Sequence, residues 1–456
     1  MMKNTLRGGD ATARLLFPGA FLWFLGIGGV GMSSLARLAV LAGFSVAGED
    51  RRTDVFLPDS GVTVFPEGTK LPAGVSAVVY TAAVSPDHPT VGEAKIRGIP
   101  LISRSDFLAY LMRGCRARVT VAGSHGKTTV TAMLDAIFVR ANLFPTTVSG
   151  GTLTGGGTCR VGAGDLFLSE ACEYTDSFLS LSPTHALLLN LELDHTDYFP
   201  DFAALSRSAA RYLSGADVRI VPPSLFPLAG EGKTLTFGGE ERGATLSARE
   251  VRLTPGGTAA KLVFRGEDVG KLFLPVPGLH NLSNALAAIL AAHTLGVSFA
   301  TSAAALSDFA LPDRRLTLRG RWGGALWYDD YAHHPSEIAA SLSALRAVSS
   351  GRLTVAFQSH TYSRTRAETS GFAAALGAAD RVLVLPIFPA RETFDLGVSN
   401  RTLARAIGET ATAVPDFGAA ANEMKKAARP GDVMVVMGAG DVNKIFNYLG
   451  FSDGEA

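Results

Sequence analysis

The sequence predicts an α/β protein of three domains built on parallel sheets, and three observations carry that reading. Short apolar, β-branched runs alternate with stretches of helical periodicity along most of the chain. Near the N-terminus a strand passes through a glycine turn and a helix into a second strand, and at Arg118–Met133 another strand enters a phosphate-type loop and helix. The length, 456 residues, accommodates about three domains of ~150 residues.

Composition bounds the function. Hydrophobic residues make up 47% and charged residues 18%, so sizeable cores can form. A formal net charge of +1 argues against broad electrostatic attraction to nucleic acid or to an anionic membrane. The three cysteines, Cys115, Cys159 and Cys172, are scattered without metal-type spacing and read as free thiols of a reducing compartment. The apolar stretch 17–30 contains Pro18, runs into a glycine loop and is too short to span a bilayer. It is expected to be a buried strand, in a soluble, cytoplasmic protein.

Residues 1–16 read as a loose leader. Phe21–Leu25 is the first strand, followed by Gly26-Ile27-Gly28-Gly29-Val30-Gly31, a helix over Ser33–Ala42 and a strand over Ser45–Gly48 ending in Glu49-Asp50. That order is a nucleotide-binding βαβ unit, with the acidic pair roughly twenty residues after the first glycine, where a ribose or base contact falls. Such a loop alone serves NAD, FAD, other nucleotides or no ligand. Ala77–Thr81, Ile99–Ile102 and Asp106–Met112 continue the alternation, and Arg113–Arg116 reads as a linker.

The second domain opens on Gly123, Ser124, His125, Gly126, Lys127, Thr128 and Thr129. Free N–H groups at the helix start make an anion site, Lys127 reaches outer phosphates, and the Thr128 hydroxyl suits Mg²⁺. Val121 stands where such loops usually begin with glycine. Ser149–Gly157 is a glycine-rich loop. The strand Asp165–Ser169 ends in Glu170-Ala171-Cys172-Glu173, and a longer strand, Ala186–Asn190, leads to Asp194-His195. Acids after two strands of a parallel sheet lie on its ligand-binding edge, which points to a metal beside the phosphate loop. Short strands are expected over Leu253–Leu274, then a helix over Leu282–Leu295 and an arginine-rich linker over Leu311–Gly320.

The third domain alternates again. Ala325–Tyr328 runs to Asp329-Asp330-Tyr331-Ala332-His333-His334, with a helix from Ser336. The histidine pair reads as a helix entry rather than a metal pair. Leu353–Phe357 ends in Gln358-Ser359-His360 with Arg364 beyond it; Arg381–Leu385 and Val433–Met437 are further strands.

Taken in order, GIGGVGM, GSHGKTT, EACE, NLELDH, GLHNLSNALAA, DDYAHHPSEI, FQSHTYSRTR and GAGD resemble the Mur ligases, over nearly the whole chain from Phe21 to about Ile445. Within the family the resemblance is to the alanine-adding branch, with the tripeptide-recycling branch as the alternative. It implies a Rossmann-like UDP-substrate domain (1–115), a central P-loop ATPase-type domain (116–317) and a C-terminal Rossmann-like domain (318–456). It also implies ATP and Mg²⁺ as cofactors, and UDP-N-acetylmuramate and L-alanine as substrates in peptidoglycan precursor synthesis. By position, Gly26, Gly28, Gly29 and Gly31 would line the UDP pyrophosphate site. Lys127 and Thr128 would hold ATP phosphates and Mg²⁺, with Glu173 and His195 as further metal ligands. Asn281, Arg314 and Asp329 would face ATP; His333, His360 and Arg364 would face the reacting carboxylate and the incoming amino acid. Groups spread over three domains imply closure around the reactants.

Overall fold

The computed structural model describes residues 16–450 apart from 54–60, 196–197, 240–242, 255, 391, 394 and 396. The leader expected over residues 1–16 therefore lies outside the described residues except for Leu16, a buried residue whose carbonyl accepts the Tyr110 hydroxyl at 2.9 Å.

Five parallel strands make the first sheet: β1 (Phe21–Leu25), β2 (Ser45–Asp50), β3 (Thr63–Pro66), β4 (Val75–Tyr80) and β5 (Leu101–Ser103), in the order β3-β2-β1-β4-β5. β1 is central, and Leu22, Trp23, Phe24 and Leu25 are all buried, as a strand covered on both faces requires. Two expected bounds shift. The first helix runs Val30–Leu41 and starts before Ser33, because Gly29 already occupies its N-cap. β2 continues past Gly48 to Asp50, because its far side pairs with β3 as far as Pro66.

The second sheet contains β6 (Ala117–Ala122), β7 (Thr146–Val148), β8 (Cys159–Arg160), β9 (Leu166–Glu170), β10 (His185–Leu188), β11 (Val218–Val221) and β12 (Lys233–Gly238). Their order is β12-β11-β10-β6-β9-β7-β8, parallel except for the β7–β8 pair. β10 stops at Leu188 and is not the longer strand expected to Asn190. Past it the Asn190 side chain bonds the neighbouring loop, while backbone bonds run on from the Leu189 N–H to the Ala122 carbonyl and from the Ser124 N–H to the Asn190 carbonyl. Beyond β12, the stretch read as short strands forms long ones: β13 (Leu246–Thr254), β14 (Gly257–Phe264) and β15 (Glu267–Leu274), nine, eight and eight residues.

The first two sheets share one buried cluster, in which Phe24, Leu35, Phe107 and Met112 join Ala122, Phe167 and Phe178. The Ser34 hydroxyl also meets that of Thr158 at 3.0 Å. Both sheets belong to one compact unit, Met1–Ser247 with Val263–Glu267 and Asn284–Ala305; the second unit comprises Ala248–Leu262, Asp268–Ser283 and Leu306–Ala456.

The third sheet lies in the second unit: β16 (Thr317–Trp322), β17 (Ala325–Asp330), β18 (Leu353–Phe357), β19 (Arg381–Val384), β20 (Ala411–Ala413) and β21 (Val433–Met437). Its order is β16-β17-β21-β18-β19-β20, with only β16 antiparallel. The arginine-rich segment 311–320 is thus not linker throughout, since it enters the edge strand at Thr317. Parallel pairing brings the carboxyl ends of β17, β18 and β21 together, as it does those of β6, β9 and β10. Among the described residues, no helix is long and apolar enough to cross a membrane.

Asp330 closes β17 at 3% exposure; its Oδ1 accepts the Ala332 N–H at 3.3 Å, while Oδ2 lacks a hydrogen-bond partner. Burial pushes its carboxyl up to about 6, opposed only in part by a Ser341 hydrogen bond and the Arg315 charge. A carboxyl raised by folding contributes stability below its unfolded pKa of 3.8, and that contribution is lost as pH rises through about 6. Asp330→Asn should therefore gain on the wild type between pH 4 and 8, on the order of 2–3 kcal/mol by urea unfolding. Identical pH slopes for the two chains would contradict this reading.

Candidate active site

β6 feeds the turn Gly123–Gly126 into the helix Lys127–Arg140. Gly126 occupies the N-cap with φ 82°, a left-handed conformation that favours glycine, and a Cβ there would stand 2.7 Å from Asn284 Oδ1, which would have to move aside. The chain leaving β10 clamps the turn. The His125 N–H donates to Asn190 Oδ1 at 2.8 Å, and Asn190 Nδ2 donates back to the His125 carbonyl at 3.1 Å. The Ser124 hydroxyl donates to the Glu192 carbonyl at 3.0 Å and accepts the Glu192 N–H at 2.8 Å. His125 Nε2 lies 3.1 Å from Glu192 Oε2. The loop is thus held in shape by the neighbouring strand exit, and Thr128 and Thr129 fall in the helix's first turn.

Lys127 Nζ lies 3.2 and 3.1 Å from the two Glu173 carboxylate oxygens and donates to the carbonyls of Gly123 and Ser124. Burial works against its charge, but the adjacent Glu173 carboxylate outweighs that and holds the ammonium above its ordinary pKa. Glu173 is 6% exposed, and His195 Nε2 stands 4.0 Å from its Oε1, with the Tyr174 ring 4.6 Å from the imidazole. Lys127, Glu173 and His195, expected from three separate strand ends, therefore do converge. A carboxylate, a hydroxyl and an imidazole beside a helix N-terminus can hold a hard divalent cation and an anionic ligand together. The glycine-rich loop 149–157 is tied to the same edge, since Glu170 accepts the Gly150 N–H at 2.5 Å and the Ser149 hydroxyl at 3.4 Å.

The first glycine turn forms around its own acidic pair. Gly26 donates to the Glu49 carbonyl at 2.9 Å, and Gly28 donates to Asp50 Oδ2 at 2.8 Å. Asp50, expected near a ribose, thus also braces the turn, while Gly29 and Gly31 stand at the N-cap and first turn of the following helix.

In the second unit, Arg314 Nε pairs with Asp329 Oδ1 at 3.5 Å, and the guanidinium donates to the carbonyls of Gly440 and Gly438 at 3.0 and 2.5 Å. Burial pushes the Asp329 carboxyl up to about 6 despite Arg314 and Arg319. Asn281 is buried, with its Nδ2 donated to the Pro277 carbonyl at 2.8 Å. His333 and His360 come within 6.3 Å, ring to ring, and His360 stacks on Phe388 at 5.5 Å. Burial, then the Arg364 charge, push the His360 pKa down; burial takes His333 down to about 4. His334 is the N-cap of the helix Pro335–Val348, the expected helix entry. Sequence reasoning did not single out Asn190, Glu192, Asn284 or Glu337. Glu337 alone left a signal, as a carboxylate four residues beyond His333 where a helix begins.

The chain matches three family models end to end: Mur ligase family, catalytic domain over residues 22–116; Mur ligase middle domain over 121–292; and Mur ligase, glutamate ligase domain over 314–440. A UDP-N-acetylmuramate–L-alanine ligase of Lachnospira eligens is 37% identical over 440 residues, covering 92% of this chain and 96% of that protein. The chain belongs to the Mur ligase family. Among solved Mur ligase structures, the UDP-N-acetylmuramate–alanine ligase of Thermotoga maritima superposes with a TM-score of 0.79 at 25% identity, covering 94% of this chain and 98% of that one. A murein peptide ligase from Psychrobacter arcticus gives 0.67 at 24% identity over the same shares. The three-domain α/β fold expected from the sequence is the Mur ligase fold.

Replacing Gly126 by alanine forces a left-handed Cβ against Asn284, which should cost roughly 1–2 kcal/mol. Asn284→Ala in the same chain should recover the part due to the close contact. Equal unfolding midpoints for Gly126→Ala and the wild type would refute the clash.

Proposed function

We propose that this Mur ligase joins L-alanine to the carboxylate of UDP-N-acetylmuramate at the expense of ATP, by way of an acyl phosphate. The observation that carries the proposal is the full-length likeness to L-alanine ligases, at 37% identity over 92% of the chain. The higher TM-score to an alanine ligase than to a murein peptide ligase favours it over the tripeptide-recycling alternative. In this reading the domains divide at about residues 115 and 317. The glycine turn Gly26–Gly31 with Asp50 receives the UDP portion, and the reaction runs in the cytoplasm.

A carboxylate is a poor electrophile, so its oxygen first attacks the γ-phosphorus of ATP and ADP leaves. The N–H groups at the start of the Lys127 helix hold the phosphates. Lys127, now shared between Glu173 and two carbonyls, turns its ammonium to the transferring phosphoryl group as charge builds there. Thr128, Glu173 and His195 would hold Mg²⁺, which when bound would supply the remaining charge neutralisation. Asn281, Arg314 and Asp329 serve the nucleotide. The amine of L-alanine then attacks the acyl carbon and inorganic phosphate departs. His333, His360 and Arg364 orient the carboxylate and the amino acid, and burial favours the neutral form of both rings, leaving each a lone pair.

The test is ADP release with UDP-N-acetylmuramate and either L-alanine or the tripeptide. Release with L-alanine is expected; release with the tripeptide alone would overturn the assignment. Lys127→Ala should lower turnover by a thousandfold or so while UDP-sugar binding persists. Near-normal ligation by that folded variant would remove the phosphate loop from the mechanism.

A further inference from the structure

His333 is held on one side by two acceptors at a single nitrogen. Its Nδ1 lies 3.1 Å from the Tyr331 carbonyl oxygen and 3.2 Å from Glu337 Oε2. The same Glu337 oxygen accepts the His333 backbone N–H at 3.1 Å, so the carboxylate grips the residue at two points. Glu337 Oε1 in turn faces Arg315 Nη1 at 3.7 Å, and the guanidinium groups of Arg314 and Arg315 lie over the Tyr331 ring at 5.0 and 5.1 Å. Other charged or titratable groups among the described residues also bear on this pair: Arg364 and the His360 ring, 6.3 Å away, on His333, and Asp330 and His280 on Glu337.

A nitrogen that faces two acceptors carries the proton, and in a neutral imidazole the other nitrogen is then the lone-pair atom. We infer that Glu337 is a positioning residue: with the Tyr331 carbonyl it fixes the Nδ1–H form of His333, so that Nε2 takes the proton released by the attacking amine. This rests on the ligase reading and assigns the proton transfer within it. As the N–C bond forms, the C–O bond to phosphate breaks and its electron pair leaves with the phosphate. The surplus proton of the amine goes to Nε2, and the Glu337 carboxylate at Nδ1–H offsets the charge of the imidazolium until the proton passes to the departing phosphate. The ordering is that of a carboxylate aligning a histidine base.

Two measurements test it on the full chain. ¹⁵N NMR of histidine-labelled protein, with His333 assigned among the nine histidines by its loss in His333→Gln, reads the tautomer directly. A protonated Nδ1 with a lone pair on Nε2 at pH 7.5 is expected; a protonated Nε2 overturns the inference, whatever the substrate proves to be. Kinetically, Glu337→Gln should slow amide formation at saturating L-alanine tenfold or more. Acyl phosphate formation, trapped with hydroxylamine in the absence of amino acid, should keep its wild-type rate, and Glu337→Asp should restore part of the loss. Unchanged ligation, or an equal loss in both half-reactions, overturns the positioning role. A wild-type chain that releases no ADP with L-alanine would instead defeat the ligase reading and leave the tautomer result standing.

Discussion

The contact between Lys127 and Glu173 is the interaction on which the catalytic reading depends. A buried ammonium is costly unless an anion accompanies it, and Glu173 supplies that anion with both oxygens 3.1–3.2 Å away. The pair serves two ends. It lets a lysine sit at a helix N-terminus, next to the amide dipoles that otherwise disfavour a cation. It also keeps a carboxylate beside the turn Gly123–Gly126, where the proposed reaction would use it to hold a divalent cation. In the proposed reaction an incoming polyphosphate would offer Lys127 a second anionic partner and free Glu173 for a divalent cation, so that one exchange of partners would prepare both groups.

The parallel sheets explain why these groups meet at all. β6 and β9 are paired in register from Ala117 opposite Leu166 to Val121 opposite Glu170, so their carboxyl ends release Gly123 and Glu173 on the same edge. β10 lies on the other side of β6 and delivers Asn190, Glu192 and His195 there. The third sheet repeats the device with β17, β21 and β18, whose ends carry Asp329, Gly438 and His360. In both sheets hydrophobic strands provide rigidity, and the chemistry is confined to the few residues after each strand ends.

Much of this was legible in the sequence because it is local. FLWFL, VTV and VMVVM announce buried strands, and glycine turns before helices announce the ligand edges. Lys127, Glu173 and His195 were legible as a group because each follows a strand of one parallel sheet. What escaped depends on contacts distant in sequence. The Asn190 clamp on His125 spans 65 residues, and no periodicity marks Asn190 as anything but a strand terminus. Asn284 lies in a helix whose alternation of small and apolar residues reads as packing, yet its side-chain amide stands directly against Gly126. The edge strand β16 was hidden because its arginines resemble a linker, although an edge strand tolerates charge on its open side.

A crystal structure with Mg²⁺ and an ATP analogue whose γ-phosphate cannot transfer tests the exchange of partners at Lys127. The Lys127 ammonium should then have left Glu173 and lie within hydrogen-bonding distance of the outer phosphates, with a Glu173 oxygen coordinating the cation. A nucleotide bound in the loop with Lys127 still paired to Glu173, and with the cation held elsewhere, would contradict it.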